Sequence, residues 1–331
     1  MIHPSELRNH VKSGQIPVEQ AFENQDVLQK RPNPLFGEFH SRPSPNLKEC
    51  ADKGFIYTWG EHEYPKGSNE IASALFHRLK NTDFTGTTVL RCVADGCGGQ
   101  NKNTTMMFML QYWFAKHAPN NLKKIEAVFP IPGHLFIPPD RVFAQIEKKL
   151  KKIETLVEPS EFDNILSESG TVFKPGRDYA DHDWKKTSNA FLKPPAQWHF
   201  KFAPTKRFFI TKRNNKVLVQ GEVFYRSEVG ARQSVLKNKR SIMTSKLTTV
   251  LPGTVVKPLK LRDVQNLLTK HFGPNWDNDG RLAFYKNIFA SAAHEGVPRE
   301  EEVQSSLDAI ALTQFSNEGW GIKMLYKAVR I

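Results

Sequence analysis

The residues of this sequence best suited to chemistry are carboxylates. Asp95 follows an apolar, β-branched run (Val89, Leu90, Cys92, Val93) and opens a glycine-rich turn made by Gly96, Gly98 and Gly99. Gln100, Asn101 and Asn103 then lead into a helical pattern. Open α/β sheets carry their chemistry at the carboxyl ends of strands, and this order of residues puts Asp95 there. Asp-Gly is also a common turn pair, so the carboxylate has a purely local use open to it. Further along, Asp140 falls in the first turn of a helix begun by Pro139, where the helix dipole favours negative charge. Glu147 projects from nearly the same face two turns later, flanked by Lys148, Lys149, Lys151 and Lys152. A strand-end carboxylate and a helix-start carboxylate are what Mg²⁺ or Mn²⁺ takes from a protein, with substrate phosphates filling the remaining positions. A pair of such ions would activate an attacking oxygen and steady a leaving one. Taken singly, Asp140 is an ordinary helix-start residue and Glu147 an ordinary partner for its lysines.

These residues need elements to position them. Phe55 to Gly60 reads as a strand, and Ser68 as the N-cap of a helix with Ile71, Leu75 and Leu79 on one stripe. The Asp95 strand follows, then a helix with Met106, Leu110, Trp113 and Phe114 on its core side, then a strand from Lys124 to Phe129. The third helix carries Val142, Phe143, Ile146, Leu150, Ile153 and Val157. Strands alternating with helices predict an α/β core with parallel strands. Residues 1–54 are punctuated by Pro4, Pro17, Pro32, Pro34, Pro43 and Pro45 and read as a poorly structured arm.

The chain has 331 residues, and 47 Lys+Arg stand against 34 Asp+Glu, a net +13. That balance points to a polyanionic partner. Between Lys193 and Arg240 there are 12 Lys/Arg and two acids, Glu222 and Glu228. From Trp184 on, Trp184, Trp198, Phe200, Phe202, Phe208 and Phe209 interleave with Lys201, Lys206, Arg207, Lys212 and Arg213. Phe208–Thr211, Val217–Val219 and Val223–Tyr225 read as strands, with Asn214-Asn215 as a hairpin turn. The expectation is a small, basic, β-rich region in which cations neutralise phosphates; its aromatics could stack bases or form a core. Lys237, Lys239 and Arg240 make a further cluster suited to phosphate contact or nuclear import. Two helices, Leu261–His271 and Leu282–Phe289, are expected to pack on this region. Three cysteines (Cys50, Cys92, Cys97) make no disulfide framework, no secretory segment follows Met1, and no apolar run would span a bilayer. An intracellular, reducing location follows, without a membrane partner. GCGGQN lacks the terminal GK[ST] of a P-loop, Cys92, Cys97 and His134 lack a fourth zinc ligand, and no G-x-S-x-G elbow is present.

Five phrases carry a family resemblance: YTWGEHEYPKGSNEIASALFHRL (57–79), ADGCGGQNKN (94–103), FPIPGHLFIPPDRVFAQIEK (129–148), PPAQWHFKFAPTKRFF (194–209) and KPLKLRDVQNLL…FYKNI (257–288). They resemble a family of animal proteins derived from DNA transposons, over roughly residues 55–290, most specifically at CGGQNKN and GH…PPDRVF…IE. The resemblance implies a ribonuclease-H-like core with DDE/DDD-type, Mg²⁺- or Mn²⁺-dependent cleavage or strand transfer of DNA, in the nucleus. Asp95 would match the second catalytic acid and Asp140 or Glu147 the third. His134 would orient a phosphate or a water. Relatives carry a first acid on a strand upstream of the YTW motif. Here the arm offers Glu6, Glu19, Glu23, Asp26, Glu38, Glu49 and Asp52, none in a clear strand, Glu38 in FGEFH coming nearest. The expected layout is therefore an arm (1–54), a ribonuclease-H-like α/β core without its first strand (55–158), a basic β-rich and helical nucleic-acid-binding region (159–299) and a divergent tail (300–331). DNA is the expected partner, RNA the alternative, and self-association is left open. Beside the enzyme stands a non-catalytic nucleic-acid binder on an inactive core, and, more weakly, an exonuclease with His134 as base.

Overall fold

The computed structural model describes residues 54–130, 138–153, 155–214, 216–225, 230–253, 256–294 and 327–328, with the side chains of 138–141, 293–294 and 327–328 excepted. All belong to one compact unit, Leu47–Ile331. The arm and nearly all of the tail lie outside the described residues, as does His134.

The central sheet is built on strands β2 (Val89–Val93) and β3 (Lys124–Val128), which pair in parallel with Val93 opposite Val128. Helix α2 (Thr104–Lys116) makes the crossover between them. Its start is fixed by Asn103, whose Oδ1 accepts from Met106 N at 2.9 Å. The sequence predicts one apolar stripe on α2, yet every residue from Thr105 to Phe114 is buried. The reason is its position. The sheet takes one side, while α1 (Ser68–Lys80) and α5 (Trp184–Phe191) pack against it elsewhere.

Two expectations are corrected here. The strand β1 (Phe55–Tyr57) does not join the Asp95 strand. It stands in a second sheet, between β4 (Thr171–Phe173), to which it is parallel, and the short β8 (Lys327–Ala328). Aromatic packing selects that partner: Phe173 stacks on Tyr57 at 5.2 Å and on Phe55 at 6.2 Å. The basic hairpin, in turn, is not a β region of its own. Strands β6 (Arg207–Arg213) and β7 (Lys216–Glu222) extend the central sheet in the order β2-β3-β6-β7, with β6 antiparallel to β3. Phe208 and Ile210, both fully buried, join Ile125 and Ala127 on the face that meets the helices. Left without β6, the outer edge of β3 would present unpaired amides and carbonyls. Asn214 turns the hairpin with φ 47°, and Val223–Tyr225 is not a strand. Trp184, Trp198 and Phe208 are core residues, so the aromatics of the basic segment serve packing.

Helix α3 (Pro138–Leu150) packs in the second layer. Ile146, Val142, Phe143 and Leu150 cluster with Ile56 of β1 and with Phe162, Ile165 and Leu166 of α4 (Pro159–Ser167). Helices α6 (Pro258–Phe272) and α7 (Ala283–His294) close on themselves around Leu268, Trp276 and Leu282, with Val157 alongside, and not on the hairpin as expected.

If the hairpin is part of the core sheet, Phe208→Ala should cost about 4 kcal/mol and shift a single unfolding transition. Urea unfolding followed by tryptophan fluorescence and by far-UV circular dichroism checks this. Two separated transitions, with only one moved, would show an independent hairpin region.

Candidate functional site

The carboxyl ends of β2 and β3 and the start of β6 lie side by side, because Val93, Val128 and Arg207 form one row across the sheet. Ala94 N still donates to Val128 O at 3.1 Å, after which the chain leaves the sheet at Asp95. The Asp95 side chain is exposed and organises the glycine turn. Its Oδ1 accepts from Cys97 N at 3.1 Å and from Asn101 Nδ2 at 2.7 Å. Cys97 O in turn receives the amides of Gln100, Asn101 and Lys102, and Asn103 Nδ2 donates to Gly98 O at 3.0 Å. Asn101 is buried, so its bond to Asp95 is shielded from competing water. The polar residues after the glycines thus hold the turn and cap α2.

Cations gather at this end of the sheet. Lys102 donates to Ala203 O at 2.6 Å, which brings the β6 approach against the loop. Burial and, after it, the neighbouring Lys206 charge hold the Lys102 amine below its ordinary value. Two like charges so placed favour an anion between or beside them. Lys201 is exposed on the same approach.

The remaining sequence candidates disperse. Arg207 is an internal counter-ion: it meets the buried Glu222 through Nε at 2.6 Å and stands 4.8 Å from the Phe209 ring. That pairing engages its guanidinium within the protein. Lys212 and Arg213 lie at the far end of β6 from Asp95, Lys212 over the buried Phe114 ring at 4.5 Å. Lys237 and Arg240 sit by α5, on Asn189 O (2.7 Å) and the Phe191 ring (5.2 Å), with Lys239 exposed between them at φ 62°. Glu147 is exposed and pairs with Lys151 at 3.4 Å. Asp140 lies in the first turn of α3, a helix that packs against β1 and α4 rather than on the central sheet, and its side chain falls outside the described residues. Among the described residues no three His, Cys, Asp or Glu side chains converge as a metal cluster would require. Cys92 faces the core side of β2, and burial pushes its thiol up to about 12, which suits neither a nucleophile nor a metal ligand.

A second group of titratable residues was not read from the sequence. Glu70, in the first turn of α1, is buried and accepts from Gly67 N at 2.9 Å, so Gly67 takes the N-cap place expected of Ser68. One turn on, Ser73 Oγ accepts from His182 N (2.9 Å) and Trp184 Nε1 (3.0 Å), which lays the segment of β5 (Asp181–His182) along the same helix face. Asp181 is 1% exposed. Burial raises its carboxyl, and burial followed by the Asp181 charge raises that of Glu70 to about 7. The only local signal for Glu70 was its capping position, which does not announce burial.

The family profile named "Domain of unknown function (DUF7869)" matches residues 47–221, just over half of the chain, and the chain belongs to that family. No curated protein and no solved structure matches it. The matched span runs from the second sheet through the Asp95 turn to β7, so the family unit crosses the boundary expected near residue 158. No helix among the described residues is long and apolar enough to cross a membrane.

Two outcomes follow. Asn101→Leu should loosen the turn at a cost of about 1–2 kcal/mol and speed amide exchange from Asp95 to Asn103, as hydrogen–deuterium exchange would show; unchanged exchange would remove Asn101 from that role. A Glu carboxyl raised in the folded state binds its proton more tightly there than in the unfolded chain. Its contribution is full below about 4.5 and falls as pH climbs to about 7, by roughly 3 kcal/mol in all. Glu70→Gln should therefore stabilise the protein at pH 8 relative to wild type and lose that advantage at pH 4.5. Urea titrations at the two pH values read the difference, and a pH-independent effect would contradict the shift.

Proposed function

We propose that this chain is a transposase-derived, ribonuclease-H-like protein that acts on DNA by metal-dependent phosphodiester cleavage or strand transfer, at the Asp95 turn. One observation carries the reading: an exposed carboxylate at the carboxyl end of a parallel strand shares that end of the sheet with Lys102, Lys206 and the approach to β6 that carries Lys201. Cations of this kind hold phosphates without reading sequence, and the carboxylate supplies an oxygen ligand for Mg²⁺ or Mn²⁺. The α-helical crossover and the parallel β2–β3 pair extended by antiparallel strands are compatible with a ribonuclease-H-like arrangement. Asp140, in the first turn of the helix that follows β3 in sequence, would be the second ligand. When bound, the metal would polarise a phosphoryl oxygen and lower the pKa of a water. Asn101 would keep one oxygen of Asp95 fixed in direction, and the lysines would seat the phosphate.

A second reading, a nucleic-acid binder on an inactive core, is favoured by a specific observation. Asp95 Oδ1 already accepts two hydrogen bonds within its own turn, and Glu147 is committed to Lys151 on the surface of the other layer.

Plasmid nicking and DNA retention, measured together, separate the two. In the enzyme reading, Asp95→Asn abolishes Mg²⁺- or Mn²⁺-dependent nicking at least 100-fold, by order of magnitude, while DNA binding persists. Lys201→Glu with Lys206→Glu should weaken binding and flatten its dependence on salt. Binding without nicking in the wild type supports the second reading, and no DNA binding at any salt overturns both.

A further inference from the structure

Beside α1, among the described residues, two buried acids lack a cationic partner. Glu70 and Asp181 are 3% and 1% exposed. Both carboxylate oxygens of Asp181 and the hydroxyl of Tyr179 are buried with no hydrogen-bond partner among the described residues. The Ser73 hydroxyl and the His182 amide act on the Asp181 carboxyl in the lowering direction without reaching hydrogen-bond geometry, burial outweighs them, and that amide is bonded to Ser73 Oγ. The Tyr179 ring stacks on His77 at 5.2 Å and lies edge-on to Tyr57 at 5.5 Å. The charges that act on the pair are negative: Asp181 and Asp183 on Glu70, and Asp183 on Asp181. His77, one turn beyond Ser73 on the same helix, is held towards neutrality by burial, and its ring nitrogen already meets Tyr57 Oη at 3.0 Å. Asp183 is spent as the N-cap of α5, accepting from Lys186 N and Asn69 Nδ2. Buried carboxyls of this kind are neutralised by protons or by a cation, and an orphaned buried oxygen marks the place of an unseen partner.

We propose that Glu70 and Asp181, with the Tyr179 hydroxyl, form a structural site for one hard divalent cation that fastens the β5–α5 segment to helix α1. Two carboxylates match a dication in charge, and hydroxyl, carbonyl and water oxygens complete the shell such ions prefer. Binding displaces the protons that burial favours on these carboxyls, so affinity rises with pH. The site is separate from the Asp95 turn and does not depend on the function proposed for it.

The test is thermal unfolding of the full chain, stripped with EDTA, dialysed, and given CaCl₂ or MgCl₂ at pH 8 and at pH 5. The site predicts that one of these ions raises Tm at pH 8 by about 5 °C at a hundredfold excess over Kd, and by far less at pH 5. The rise should vanish in Asp181→Asn and in Glu70→Gln and persist in Asp95→Asn. Glu70→Gln retains an acceptor for Gly67 N, so it serves should Asp181→Asn fail to fold. No rise with either ion in the wild type would overturn the site and leave carboxyls neutralised by protons. A rise that survives Glu70→Gln but is lost in Asp95→Asn would also overturn it, and would place the metal at the strand-end turn.

Discussion

Strand β3 is the constraint on which the rest of the central layer depends. Ile125 and Ala127 are buried against the helices, and both edges of the strand are occupied, by β2 in parallel and by β6 antiparallel. The parallel edge demands a crossover, which α2 supplies, and this puts the Asp95 turn at the strand's carboxyl end. The antiparallel edge brings in the start of β6 at that same end. The Asp95 turn and Lys206 come to the same end of the sheet because one strand has two different neighbours, although they lie more than a hundred residues apart in sequence.

Charge is handled in two opposite ways around that scaffold. On the outer face of the sheet, acids are buried with cations: Glu126 between Arg91 (2.9 Å) and Lys124 (2.5 Å), and Glu222 with Arg207. Burial pushes the Glu126 carboxyl up, but its hydrogen bonds to Lys124 and Arg91 outweigh that and leave it below the usual carboxylate range. Beside α1 the acids are buried with other acids and with tyrosines. The first arrangement consumes part of the chain's positive excess, Arg207 included; the second calls for a proton or a cation. What stays outside to meet an anion at the Asp95 turn is a subset of the basic residues.

Much of the local structure was legible because punctuation is local. Pro138-Pro139 opens α3, Asn103 caps α2, and Asn214 turns the hairpin close to where residue types place them. The partner of a strand was not legible in the same way. FIY at 55–57 and VLRCV at 89–93 look alike as apolar strands, and only the stacking of Phe173 on Tyr57 and Phe55 sends the first to another sheet. The hairpin misled for a related reason, since composition marks it as basic while the buried Phe208 and Ile210 make it core. Of the candidate site, Asp95 and its supporting asparagines could be read from the glycine turn. The role of Lys102 could not, because its partner Ala203 is supplied by the fold, and Glu70 reads as nothing more than a helix-start acid.

The central claim is that nucleic acid is held at the Asp95 turn and not at the far end of the same hairpin. Cys97 is exposed within that turn, which allows a direct test. A thiol-linked photocrosslinker is attached to Cys97 in a chain carrying Cys50→Ser, and to a cysteine at position 213 in a chain carrying Cys50→Ser, Cys97→Ser and Arg213→Cys. Each is irradiated with radiolabelled DNA. Strong crosslinking from Cys97 and little from position 213 is the predicted result. DNA that binds but crosslinks only from position 213 would contradict the account.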